Sequence, residues 1–516
     1  MATFMQLLLC LLLFAGRCQE IDVISEPIPV TGGRISGEYL DNPKVHVYKG
    51  IPFAAPPVGP NRWRAPQPVV AWKGVKKCLE FGPSPVQPKP VPFMFWSQEF
   101  LIPEEPISED CLYLNVWTGA NSSTERRPVL VYIYGGGFRS GGSGCPIYDG
   151  TAMAQKGVVF VSLNYRVGNF GFLALPALSD ESDSGTSGNY ALLDMIAALK
   201  WVRENINKFG GDPDNVTIAG QSAGAFAVNY LTVSPLAKGL FHRAIAESGG
   251  NFYQSPLRGN NDLREAEKAG SQFARELGVT DLKALRSLAP ELIMNARGGV
   301  SWPVIDGYVV PEAVMTAYQE GHQNDVPMLI GWNDNDILMG QPATLQAFRQ
   351  AMATRFGKDT TSLWRVYPAE NEEQSVRSQH AMNRDEMFGV QMYTWAKVQS
   401  RTGANPIYLY NFNRALPAYG PETQFGAFHS GEIVYAYDNL STLDRPWEPA
   451  DQEIASLMSS YWVNFSRTGD PNGNGLPTWQ AFDATNAKTM LIDTQSECQT
   501  LPAKPQMEFW ENQYKK

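Results

Sequence analysis

From residue 128 onward, hydrophobic and polar positions follow two alternating periods. Residues 129–134 and 158–163 are near-continuous apolar runs, as expected of parallel strands buried on both faces. Leu192, Met195, Leu199, Val202 and Ile206 then recur at helical spacing. Beyond the turn signal Gly210-Gly211-Asp212-Pro213, a short strand is predicted at 216–219, and others at 242–246, 326–330 and Ile407–Phe412. Ile454, Leu457, Met458, Tyr461, Trp462 and Phe465 form the apolar face of a late helix. Strands alternating with helices predict an α/β fold, with helices on both faces of a mostly parallel central sheet. Residues 21–70 carry short alternating runs between turn signals and are expected to add an antiparallel N-terminal extension. No linker composition interrupts the pattern, so 19–516 reads as one domain.

Two stretches depart from this rhythm. Residues 81–103 hold Pro83, Pro85, Pro88, Pro90 and Pro92 beside Phe93, Phe95 and Trp96. Proline removes backbone donors and fixes φ, so regular structure is excluded, leaving a flap over a pocket or a packed surface loop. Residues 7–15 form an apolar run too short for a membrane span, which needs about 20 residues. The run suits the core of a signal peptide, although no Lys or Arg precedes it. Cleavage after Cys18 would leave a secreted or periplasmic chain. Acylation of Cys18 is the weaker alternative, because Arg17 stands where a small residue is usual.

An exported chain would keep Cys78, Cys111, Cys145 and Cys498, an even count compatible with disulfides or with buried thiols. Asn121, Asn215, Asn439 and Asn464 begin glycosylation sequons. The chain is 43% hydrophobic and 18% charged, with a formal net charge of -10. Such an acidic chain, with no block of Lys or Arg, argues against nucleic acid or an anionic membrane surface as partner.

The candidate chemistry begins where the strand at 216–219 runs into Gly220-Gln221-Ser222-Ala223-Gly224. This is G-x-S-x-G in strand–turn–helix context. A sharp turn exposes the serine Oγ above the sheet and leaves no room for side chains at the two glycines. The following helix N-terminus favours a developing oxyanion. Gly135-Gly136-Gly137-Phe138 follows an earlier strand, and the N–H groups of Gly136 and Gly137, with that of Ala223, could stabilise such an anion. A phosphate loop is excluded, because no Lys-Ser or Lys-Thr follows the glycines.

A serine nucleophile needs a base, and the chain has His46, His242, His322, His380 and His429. Chain order of nucleophile, acid and then base removes His46 and favours His429, which follows the strand Ile407–Phe412. His242 and His322 sit near strand starts, the wrong end of the sheet, and His380 lies in a polar helical stretch. The acid is expected past the strand at 326–330, in Asn333-Asp334-Asn335-Asp336. Spacing alone does not choose between Asp334 and Asp336. A calcium loop is disfavoured, because the distal bidentate Glu is missing.

With these residues in place, the sequence resembles the type-B carboxylesterase/lipase family, which includes carboxylesterases, cholinesterases and bacterial para-nitrobenzyl esterases. The resemblance runs through Tyr48-Lys49-Gly50-Ile51-Pro52-Phe53-Ala54, Ser108-Glu109-Asp110-Cys111-Leu112-Tyr113-Leu114-Asn115, Asn164-Tyr165-Arg166 and Gly469-Asp470-Pro471-Asn472, besides the glycine turn and the serine motif. It implies an α/β-hydrolase fold, ester hydrolysis by a Ser–acid–His triad without cofactor or metal, and a deep gorge. Matched residue by residue, it puts the acid at Asp336, where the family usually has Glu, and the base at His429, with Glu432 three residues on. It also implies a Cys78–Cys111 disulfide, leaves Cys145 and Cys498 unassigned, and suggests a structural ion pair of Arg166 with Asp194 or Glu109. The expected substrate is a small-molecule carboxylic ester of short-to-medium acyl chain. A lipase and an inactive adhesion-type binding protein are the alternatives on this fold.

Overall fold

The computed structural model describes residues 24, 26–253, 262–279, 281–338, 340–420 and 425–516. The expected signal peptide lies outside them. In chain order the strands are β1 (Ile28–Val30), β2 (Gly33–Ser36), β3 (Glu38–Leu40), β4 (Val45–Pro52), β5 (Val75–Lys77), β6 (Tyr113–Thr118) and β7 (Arg127–Ile133). They continue as β8 (Val159–Leu163), β9 (Gly211–Gln221), β10 (Arg243–Glu247), β11 (Met328–Asn333), β12 (Ile407–Phe412), β13 (Lys488–Ile492) and β14 (Glu497–Thr500).

The main sheet has the order β14-β13-β12-β11-β10-β9-β7-β8-β6-β4-β3. From β8 to β13 all neighbours are parallel. The other strands join antiparallel at the two edges. The central strands explain their apolar runs: in β8 and β11 every residue is buried, so both faces need hydrophobic side chains. The chain runs outward from β7 to β8, then crosses back so that β9 pairs with the other side of β7. At such a reversal the connections leave in opposite directions, and a crevice opens at the carboxyl ends of the strands. The glycine turn after β7 and Ser222 after β9 both lie at that crevice.

The strand expected at 216–219 is the end of a longer one. Gly210 turns the chain with φ 76°, and β9 then starts at once, with Gly211 paired to Arg127 ahead of a register shift. The N-terminal extension is also more divided than its pattern suggested. β3 and β4 extend the main sheet, whereas β1, β2 and β5 form a separate sheet in which β2 and β5 are parallel.

Helices cover the sheet. Tyr190–Asn205 buries Leu192, Met195, Leu199 and Val202, as its spacing predicts. Ala223–Val233 is buried along its whole length. Pro449–Thr468 begins with a reciprocal cap, in which the Glu448 side chain and Asp451 each accept from the other's backbone. Arg166 pairs with Asp194 through two guanidinium contacts, of 2.9 and 2.7 Å, while Glu109 pairs with Arg62. No helix among the described residues is long and apolar enough to cross a membrane.

The disulfide is a correction. Cys78, Cys111, Cys145 and Cys498 are all free thiols. Cys78 follows the edge strand β5, and its N–H donates to Ser36 O. Cys111 lines a small cavity together with Pro85, Val86 and Arg166, and Cys78 is not among the residues that line it. Burial pushes the Cys78 thiol up to about 12 and the Cys111 thiol well above its ordinary value. Of the sequon asparagines, Asn121 is exposed, whereas the buried Asn439 amide donates to Ile147 O at 3.0 Å and Asp149 O at 2.8 Å.

Candidate active site

β9 ends at Gln221 and the next helix starts at Ala223, so Ser222 alone makes the turn, with φ 55° and ψ −123°. A non-glycine residue here costs on the order of 1–3 kcal/mol and persists only when its surroundings hold it. They do: the Ser222 N–H donates to Glu247 O at 2.8 Å, and the Ser222 carbonyl accepts from Phe226 N–H at 2.9 Å. The flanking glycines are required by contact. A Cβ on Gly224 would lie 1.9 Å from Ile133 O, and one on Gly220 would lie 2.5 Å from the Gly224 carbonyl carbon. The turn thus presses against the end of β7 and lifts Ser222 into a cavity of about 600 Å³.

Gly136 (φ 111°) and Gly137 (φ 62°) line the same cavity. The Gly136 carbonyl points back into its own loop, accepting from Arg139 and Ser140 N–H. The N–H groups of Gly136, Gly137 and Ala223 have no protein acceptor among the described residues. They remain available to an oxygen entering the cavity.

His429 lines the cavity too, and it is buried. Its Nδ1 lies 2.5 Å from Asp336 Oδ1. The other Asp336 oxygen accepts from Ser248 Oγ–H at 2.6 Å and from Asn333 N–H at 3.1 Å. Asp334 faces outward instead, paired with Arg384 at 2.9 Å. Asn335 and Phe428 form an isolated parallel bridge, which joins the two loops that carry Asp336 and His429. Phe388 stacks on the imidazole at 4.7 Å. It belongs to a single π turn, Asp385–Gly389, set inside an otherwise α-helical run. The Gln221 amide nitrogen is nearly equidistant from the two ring nitrogens, at 3.4 and 3.3 Å, so it meets the face of the ring.

Two further carboxyl groups lie behind this pair. Glu247 accepts from Trp462 Nε1–H at 3.0 Å and Tyr437 O–H at 3.2 Å. Glu432 accepts from the Asn333 amide. Burial raises both above the usual carboxylate range, and the Glu247 and Asp336 carboxylates raise Glu432 further. Sequence reasoning missed Glu247, Ser248, Gln221 and Phe388. A polar Glu-Ser-Gly closing the apolar run of β10 was the available signal for the first two.

Segment 81–103 takes both of its anticipated roles. Phe95 and Phe100 pack on Phe428, while Trp96, Phe100 and Ile102 wall the cavity. The remaining histidines lie elsewhere. His242 Nδ1 accepts from Val216 N–H, exposed His322 contacts Glu312, and His380 is half-buried in the helix Glu372–Arg384.

Residues 25–510 match the model of the carboxylesterase family. The chain belongs to this family. It is 36% identical to the fumonisin B1 esterase of Sphingopyxis macrogoltabida over 463 residues, covering 85% of this chain and 82% of that protein. It is 32% identical to the para-nitrobenzyl esterase of Bacillus subtilis (strain 168) over 476 residues, covering 87% and 92% respectively. Among solved structures, a PNB esterase superposes with a TM-score of 0.79 at 30% identity, covering 95% of this chain and 99% of that one. The fold is that of an α/β-hydrolase, and the protein is a serine carboxylic ester hydrolase.

Proposed function

We propose that Ser222 Oγ attacks the ester carbonyl while His429 takes its proton and then returns it to the leaving alcohol. Asp336 positions the imidazole and stabilises its charged form. The N–H groups of Gly136, Gly137 and Ala223 hold the oxyanion. Water, activated by the same histidine, then releases the acid from the acyl-serine. The observation that carries this assignment is the 2.5 Å contact between His429 and Asp336 at the wall of the cavity that receives Ser222.

The preferred substrates are esters of short-to-medium acyl chains, and residues 19–516 act as one domain. The lack of a lid helix supports this over a lipase, since the only helical element in segment 81–103 is the three-residue turn Gln98–Phe100. An intact set of Ser222, Asp336 and His429 disfavours an inactive adhesion protein. Residues 1–18 are a signal peptide, and the mature chain is secreted or periplasmic. N-terminal sequencing of exported protein checks this, and an intact Met1 would refute it.

Hydrolysis of para-nitrophenyl acetate, butyrate and palmitate tests the chemistry. Wild type is expected to favour the shorter chains, and Ser222→Ala to lose on the order of 10⁶-fold in kcat. Equal trace activity in both proteins would overturn the assignment.

A further inference from the structure

The protein carries a net charge of -10, yet among the described residues no Asp or Glu lines the cavity of Ser222, whereas Lys89 and Arg139 do. Lys89 lies 3.7 Å from Glu105, and both are largely exposed. Arg139 differs. It stands two residues beyond Gly137, and its backbone N–H is tied to Gly136 O. Its Nε donates to Ser301 Oγ at 2.9 Å, and no carboxylate among the described residues pairs with it. One edge of the guanidinium is therefore held by the protein, and the Nη groups are left for another acceptor.

The surroundings show what such an acceptor would belong to. Trp96, Phe100 and Leu338 make the cavity apolar on other sides, so a hydrophobic ester portion is accommodated there. A second groove of about 340 Å³ shares Gln87, Pro88 and Arg139 with it, and Asn169 and Ser301 also line that groove. Arg139 thus stands where an apolar cavity opens into a polar groove. A planar, permanently charged fork at that junction matches a carboxylate in geometry and sign.

We propose that Arg139 binds a free carboxylate on the substrate, so that the preferred esters carry an acid group beyond the reactive carbonyl. This rests on the assignment of Ser222 as nucleophile. The carboxylate is on either the acyl chain or the alcohol, and two substrate pairs separate these sources. Mono-para-nitrophenyl adipate is compared with para-nitrophenyl hexanoate, and para-carboxyphenyl hexanoate with phenyl hexanoate.

The quantity read is the ratio of kcat/KM for the acidic ester to that for its neutral partner, in wild type, Arg139→Lys and Arg139→Met. In one of the two pairs the ratio is expected to fall about fivefold or more in Arg139→Met, chiefly through KM, and to be partly retained in Arg139→Lys. The wild-type ratio in that pair falls as sodium chloride is raised. Ratios that do not move in Arg139→Met, in a protein that still hydrolyses hexanoate esters, would overturn the carboxylate site alone. Wild type inert toward every ester would overturn the nucleophile assignment as well.

Discussion

The turn at Ser222 and the pocket around His429 hold their groups by opposite means. The turn is a backbone device: five consecutive residues, two of them glycines pressed against the end of β7, held by main-chain hydrogen bonds. The pocket is a side-chain device. Asp336, His429, Ser248 and Phe388 come from four separate stretches of chain and meet only in the folded protein. Steric exclusion defends the first, and hydrogen bonding between buried polar groups defends the second. The turn should therefore fail through stability, and the pocket through chemistry.

The largest expected effect is in the pocket. Asp336→Asn keeps the volume but removes the charge that faces His429. A loss of about 10⁴-fold in kcat is expected with little change in thermal midpoint. Activity within tenfold of wild type would break the comparison, because His429 would then need no buried charge.

Gly224→Ala probes the turn. Its Cβ would meet two carbonyl oxygens of the β7 end, at 1.9 and 3.0 Å, and backbone cannot swing aside. A loss of about 3 kcal/mol or more is expected in urea unfolding. Unchanged stability would mean that the close approach to β7 does not define the turn.

Glu247 links the two regions, since its carbonyl holds Ser222 N–H while its carboxyl is buried behind the pocket. Burial pushes that carboxyl up to about 8. Between the unfolded carboxylate value of about 4.3 and that folded value, the native state binds more protons than the unfolded one. Stability should therefore fall as pH rises from roughly 4.3 to 8 and then level off. Glu247→Gln is expected to flatten that slope in chemical denaturation at several pH values. An unchanged slope would show that Glu247 is ionised in the fold.

Ser248→Ala removes one of the two donors to the outer Asp336 oxygen. A cost of about 1–2 kcal/mol and a drop of roughly tenfold in kcat are expected. The smallest effect belongs to Asp334→Asn. Asp334 is mostly exposed, and the largely buried Arg384 keeps its second partner Asp385, so stability should move by less than about 1 kcal/mol and activity within twofold. Swapped outcomes for Asp334 and Asp336 would reverse their roles.

The two regions also differ in how far they could be read in advance. G-x-S-x-G was legible because every constraint on it falls within five residues and a preceding apolar strand. His429 emerged through chain order and its place after β12. Asp336 was harder: Asp334 and Asp336 are two residues apart, and spacing alone left both open until family resemblance favoured Asp336. In the fold, one reaches His429 and the other reaches Arg384. Strands β6, β13 and β14 went unread because short edge or mixed strands lack the continuous apolar runs of β7 and β8. The disulfide drawn from resemblance is not formed: Cys78 follows an edge strand, while the small cavity that Cys111 lines is shared with Pro85 and Val86 and not with Cys78.

By itself the sequence determined the alternating α/β architecture, the glycine-flanked serine turn and the glycine turn after β7. These depend on local periods, on φ values that suit glycine, and on apolar runs, all of which are properties of contiguous residues. Only the tertiary structure decided which aspartate meets His429, that Ser248 and Phe388 support the pair, and that Arg139 stands at the cavity edge with no carboxylate partner among the described residues. Those outcomes depend on which distant side chains share a buried, low-dielectric space. Hydrogen bonding and charge are strong there but leave no mark in the spacing of any one segment.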